Sequence, residues 1–256
     1  MLPRPRSAAI LLTLAAALTL HGDTTPQRHL PPALAGSPPV ILWAWEEPED
    51  LRTLDPAQTG LAFLADRIFL TDTLHHIPRR QRILVPRNVW AEAVVRIEPL
   101  PGFTDSEALR QATAQQILQS AALPNLRALQ IDFDATQSQR PFYADILRRT
   151  RAGLPPHTAL TITALLSWCS VQDGWLRNLP IDQAIPMYFR LGQHRGRWPI
   201  REPLCTGSLG ISTDEPETAP TLTTTRLYLF APRPWTPTQL TQINAAQIPT
   251  SPKGNL

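Results

Sequence analysis

The chain has 256 residues, and its 24 Lys and Arg stand against 21 Asp and Glu for a formal charge of +3. The cations are scattered and almost all arginine. Without Arg4 and Arg6 the balance is 22 against 21, which leaves no electrostatic footprint for nucleic acid. The length suits one large domain or two small ones, and the 28 prolines, about twice the usual share, are spread through connecting segments as rigid joints.

Residues 1–22, MLPRPRSAAILLTLAAALTLHG, have a basic start and an apolar run from Ala8 to Leu20. That is the layout of a secretory signal, and the run is shorter than the ~20 residues of a comfortable membrane span. A short retained anchor is the alternative. Residues 23–38 are polar and Pro-rich and read as a linker, residues 39–247 as the ordered domain, and residues 248–256 as a flexible tail. Export to the periplasm or beyond lets the two cysteines, Cys169 and Cys205, pair as a disulfide; two buried thiols are the other reading.

The first strand is predicted at 39–45, PVILWAW, a short apolar run stopped by Glu46, Glu47 and Pro48. A second lies within 64–72. A third is RILVPRNVW or the alternating AVVRIEP after it, as one element or two. TDSEALRQATAQQILQS follows as a helix, with Thr104 and Glu107 suited to a capping box. RALQIDFDA is the next strand and SQRPFYADILRRTRAG the next helix, with Gly153 placed as its left-handed C-cap. Strands are then expected at 159–168, 183–192, SLGIST and 225–232, with one or two helical turns in DGWLRNLP. Thr236 and Pro237 suit the N-cap and first turn of a last helix. About eight strands alternating with helices point to an α/β fold, a single (β/α)8 TIM-like barrel with some helices shortened or missing. An open doubly wound sheet is the alternative, weakened because no Gly-rich phosphate loop follows a predicted strand.

Barrel sites form at the C-terminal ends of the strands. Those ends carry Trp45, Glu46 and Glu47 on the first strand, Asp132 and Asp134 on the fourth, Trp168 on the fifth, and Tyr188 and Arg190 on the sixth. The strand period of two turns Gln130, Asp132 and Asp134 to one face and Ile131 and Phe133 to the other. Two carboxylates on one face repel when both are ionised, so one pKa rises, as a general acid in glycoside hydrolysis requires. The competing readings are a structural pair neutralised by interior donors, and a bound cation. Trp45 and Trp168 are placed to stack on sugar rings, or to pack over the barrel core. Ser167 lacks the glycines of a nucleophile elbow, and the histidines lack metal-ligand spacing.

The runs LQIDFDA, FYADILRRTRAGLP, LTITALLSWC, IPMYFRLG and LGIST, across residues 39–231, resemble an exported bacterial family known as domain of unknown function 3142. The same segments are more distantly similar to chitinase-type glycosidases, in which a strand ends Asp-x-Asp-x-Glu. That resemblance implies Asp134 in the place of the acid and Asp132 in the place of the residue that orients it. Gln130 stands for the first Asp, Asp134 for Glu, and MYFR for Met-x-Tyr-Asp.

The sequence therefore leads to an exported glycosidase-like hydrolase acting on a polysaccharide or cell-wall glycan, with Asp134 and Asp132 catalytic. Glu46 or Glu47 is the second carboxylate, Tyr188 and Arg190 are substrate-binding, and Trp45 and Trp168 are stacking platforms. No cofactor or metal is implied, and a monomer is expected. The alternative is a barrel that binds a glycan or other envelope ligand without turnover.

Overall fold

The computed structural model describes residues 32–170, 174–192, 198–215 and 226–245. The expected leader, most of the linker, the tail and His194 lie outside the described residues. The strands in chain order are β1 (Val40–Ala44), β2 (Glu49–Asp50), β3 (Thr59–Leu70), β4 (Leu74–Pro78), β5 (Ile83–Leu84) and β6 (Ala91–Pro99). They continue with β7 (Leu126–Asp132), β8 (Ala159–Ala164), β9 (Gln183–Pro186), β10 (Ser208–Ser212) and β11 (Arg226–Phe230). The helices are α1 (Glu107–Ala121), α2 (Arg140–Gly153), α3 (Leu166–Ser170) and α4 (Pro237–Ala245).

Eight strands run parallel in the order β10-β11-β1-β3-β6-β7-β8-β9. The circle closes where Met187, one residue past β9, bridges Gly210 of β10 in parallel. The structure is thus an α/β barrel of eight parallel strands with few helices. The third predicted region resolves into two elements: Ile83–Leu84 makes a two-residue pairing with β2, and AVVRIEP belongs to barrel strand β6.

Alternation sets the inside and outside of the wall. On β1, Ile41 and Trp43 face an inner cluster with Ala62, Trp90, Val94, Ala128, Ala159, Ile185 and Tyr228. Leu34, from a 3-10 turn at Pro32–Leu34, is fully buried against this cluster, so the end of the Pro-rich segment packs beneath the barrel. On β7, Ile131 faces outward. Phe133, just past the strand, packs there on Phe142 and Tyr143 of α2, with ring centroids 6.5 and 5.0 Å apart.

Two helix ends differ from expectation. The N-cap of α1 is Ser106, which accepts from Leu109 N at 3.2 Å; Thr104 instead donates its backbone N–H to Thr71 O, holding the loop to β3. Gly153 is the last residue of α2 rather than a left-handed cap, and Leu154 follows as C-cap. A Cβ on Gly153 would lie 2.5 Å from Leu118 Cδ1, so the glycine serves the close approach of α1 and α2. At α4, Thr236 caps as expected, exchanging hydrogen bonds with Gln239 in a capping box.

β8 ends at Ala164, four residues earlier than the apolar run suggests, and the chain turns into α3. Cys169 of α3 is bonded to Cys205, 36 residues on, with Cα atoms 5.7 Å apart. This disulfide ties the segment after β8 to the turn before β10, and so frames the long connection that follows β9.

Candidate functional site

The C-terminal mouth of the barrel is built in one register layer. Arg67 of β3 stands beside Arg96 of β6, and Arg96 beside Asp132 of β7. A β-bulge between Leu64 and Asp66 makes this possible. The extra residue reverses the alternation, so Arg67 rather than Asp66 faces the mouth. Asp66 turns outward, is 2 % exposed, and accepts from Gln116 Nε2 at 2.7 Å.

Two carboxylate–guanidinium–carboxylate groups result. Arg96 donates from Nη1 to Asp132 at 2.8 Å and from Nη2 to Asp134 at 3.1 Å. Arg67 donates to Glu98 at 2.9 and 3.1 Å and to Glu46 at 2.5 Å. Asp132 also accepts from Thr163 Oγ1 of β8 at 2.7 Å. The two aspartates differ sharply in their access to water: the side chain of Asp132 is 7 % exposed and that of Asp134 is 51 % exposed. Burial pushes the Asp132 carboxyl above its ordinary value, Arg96 opposes the rise and Asp134 adds to it. At Arg96, burial works against the cation, and Asp132 and then Asp134 more than reverse that effect.

Facing these charges is an aromatic wall. Phe189, past β9, stacks on Phe230 at the end of β11, with centroids 5.4 Å apart and planes 2° from parallel. Trp45 meets Phe230 edge to face at 6.2 Å. Trp43 lies deeper and donates from Nε1 to Gln130 at 2.8 Å. Its indole crosses Gly210, where an added Cβ would sit 2.9 Å from the ring, so only glycine leaves room for it.

Charged and aromatic walls enclose a cavity of about 540 Å³ that includes Trp45, Glu46, Asp132, Asp134, Leu165 and Arg190. Its size is in the range of small-molecule sites. A larger cavity of about 1000 Å³ lies outside the barrel wall near the opposite end of β6 and β7, against Leu61, Phe63, Arg87 and His157. No carboxylate lines it, so it lacks the paired acids present at the mouth.

Of the residues singled out by sequence, Asp132, Asp134, Glu46, Trp45 and Arg190 meet at this mouth. Arg190 does so through a left-handed backbone (φ 57°), and is held by Glu215 at 2.5 Å and Asp214 at 2.9 Å. Three others are elsewhere. Tyr188 has the outward parity of its segment, is 3 % exposed and donates to Trp198 O at 2.7 Å; its neighbour Phe189 takes the inward place. Trp168 is carried out of the barrel by α3 and is buried against Trp175 and Tyr143. Glu47 lines a smaller recess with Glu49 and Arg233.

Arg67, Arg96, Glu98, Thr163, Phe189 and Phe230 line the mouth without having been singled out. The signal for two of them is Arg96-Ile97-Glu98, a same-face charged pair in an otherwise apolar strand. Arg67 depends on the bulge, for which the sequence has no marker.

No protein-family model and no curated protein matches the chain. Among solved structures, it is similar to the crystal structure of the Bacillus cereus spore cortex-lytic enzyme SleL, with 15% sequence identity and a TM-score of 0.44. The match covers 69% of this chain and 51% of that one, so the chain spans about half the length of that protein. A likeness this slight says nothing about the chemistry at the mouth.

Proposed function

We propose that the chain is an exported glycosidase-like protein that takes a polysaccharide or cell-wall glycan into the mouth of the barrel. The observation that carries this reading is an open cavity at the strand ends in which a solvent-accessible carboxylate, Asp134, faces the aromatic surfaces of Trp45, Phe189 and Phe230. Sugar rings present apolar faces for such surfaces and hydroxyls for the surrounding charged groups. Asp134 is the reacting carboxyl, set at the rim by Arg96. Asp132, buried behind it and tied to Thr163, is a positioning residue acting through the shared guanidinium. Glu46 and Glu98, joined by Arg67, supply the second carboxylate that hydrolysis of a glycosidic bond needs. The disulfide accords with export to an oxidising compartment.

One observation favours the second reading, binding without turnover. Arg96 engages both aspartates, and a carboxylate held this way is a better hydrogen-bond acceptor than proton donor. Incubation of a glycan panel with wild type and Asp134→Asn separates the two. New reducing ends released by wild type, and reduced at least ~100-fold in the variant, support hydrolysis. Saccharide binding by both proteins with no cleavage by either replaces hydrolysis with binding alone. Cleavage undiminished in the variant removes Asp134 from the reaction.

A further inference from the structure

We infer that the saccharide suited to this mouth carries free, protonated amino groups: a hexosamine oligomer or polymer wholly or partly without N-acyl substituents. The inference deepens the glycan reading above and rests on it.

The first ground is charge. Four carboxylates, Glu46, Glu98, Asp132 and Asp134, line the cavity with three guanidinium groups, those of Arg67, Arg96 and Arg190. Arg190 is itself held by two more carboxylates, Asp214 and Glu215. Among the described residues, each of the three arginines already has two carboxylate partners. A uronate or phosphate on the ligand would have to displace an internal carboxylate to reach a cation. An ammonium group instead meets surplus negative charge, and the most accessible of the four lining carboxylates, Asp134 at 51 % and Glu46 at 48 %, stand at the rim.

The second ground is independent of formal charge. Trp45, Phe189 and Phe230 place aromatic rings in the same cavity, and ring faces attract organic ammonium groups when water is partly excluded. Aromatic faces on one side and carboxylates on the other form an acceptor-rich, cation-attracting surface. The donors Trp43 Nε1 and Thr163 Oγ1, which could otherwise greet an acetamido carbonyl, are engaged by Gln130 and Asp132. A neutral N-acetylated sugar would keep the ring and hydroxyl contacts but lose the attraction of its ammonium groups to the carboxylates and the ring faces.

Calorimetric titration of wild type tests this with three oligosaccharides of equal length at a pH where the amine is protonated. They are glucosamine units with free amines, the fully N-acetylated counterpart, and oligogalacturonate. The free-amine oligomer is expected to bind about tenfold tighter or more than the N-acetylated one, with oligogalacturonate weakest. The preference should shrink in high salt and in Glu46→Gln, a change at an exposed rim position that leaves the core untouched. Equal or tighter binding of the N-acetylated or uronate oligomer overturns the inference while leaving the glycan reading intact. A free-amine preference unchanged in both Glu46→Gln and Asp134→Asn also overturns it, because the amine is then recognised elsewhere. Binding of none of the three overturns the inference and counts against the glycan reading too, which the wider panel decides.

Discussion

Asp132 and Asp134 sit two residues apart on one guanidinium, yet their surroundings assign them different work. Asp132 is nearly buried in the cavity floor, so removing Arg96 leaves a buried carboxylate without its cation. Arg96→Met is therefore expected to lower stability by about 2–4 kcal/mol. Asp134→Asn changes a half-exposed ion pair and should cost no more than about 1 kcal/mol. Urea denaturation of both variants checks the contrast; equal losses would mean that the two acids share one environment. A second buried acid, Glu92, lies within the barrel, accepting from Thr161 at 2.5 Å and Tyr228 at 3.0 Å. Burial pushes its carboxyl up to about 7, against the opposing pull of those hydrogen bonds and of Arg226. Because the folded form holds the proton more tightly than the unfolded one, this contribution is fully present below the unfolded pKa near 4.5 and is lost as pH rises toward 7. The loss over that window is on the order of 3 kcal/mol. Glu92→Gln should flatten the fall, and an unchanged pH profile of melting would show that Glu92 is not its source. The period-two pattern of LQIDFDA was enough to place both aspartates on the inner face. Their shared counter-ion was not legible, because which strands become neighbours is a property of the closed barrel.

At the scale of elements, the decisive local events are a bulge, an early helix and a disulfide. The bulge in β3 brings Arg67 into the mouth. A one-residue slip exchanges every following side chain across the sheet, so strand parity read from sequence fails beyond it. The early turn into α3 carries Trp168 outward. The apolar run ALTITALLSW has no glycine or proline to mark that turn, and a short buried helix and a buried strand look alike in such a run. Tyr188 and Phe189 illustrate the opposite case: alternation from Gln183 through Ile185 and Met187 points inward to Phe189 and outward to Tyr188, so position at a strand end does not by itself put a side chain in the mouth. The Cys169–Cys205 bond closes a 36-residue separation that includes β9 and the connection after it. Its loss by a double Cys→Ala substitution is expected to cost about 3–4 kcal/mol on loop-closure entropy. Thermal and denaturant melts of oxidised wild type and the double variant measure this. A change below ~1 kcal/mol would show that the connection is held by its other contacts.

For the molecule as a whole, strand–helix alternation and apolar strand interiors made the barrel legible, although among the described residues several crossovers have no α-helix. The mouth was legible as a place, since strand ends carry the polar residues. Its composition was legible only in part, because Arg67, Arg96, Glu98 and Thr163 lie one to three residues before the strand ends and Phe189 enters by inward parity after β9. The most direct measurement of the central claim, that this mouth is a saccharide site, is a fluorescence titration of a broad oligosaccharide panel against wild type and Trp45→Ala, with circular dichroism to verify the fold. At least one saccharide should bind wild type, and its affinity should fall about tenfold or more when the rim indole is removed. A panel in which nothing binds, or a Trp45→Ala variant that binds as tightly as wild type, would contradict a carbohydrate site at the C-terminal mouth.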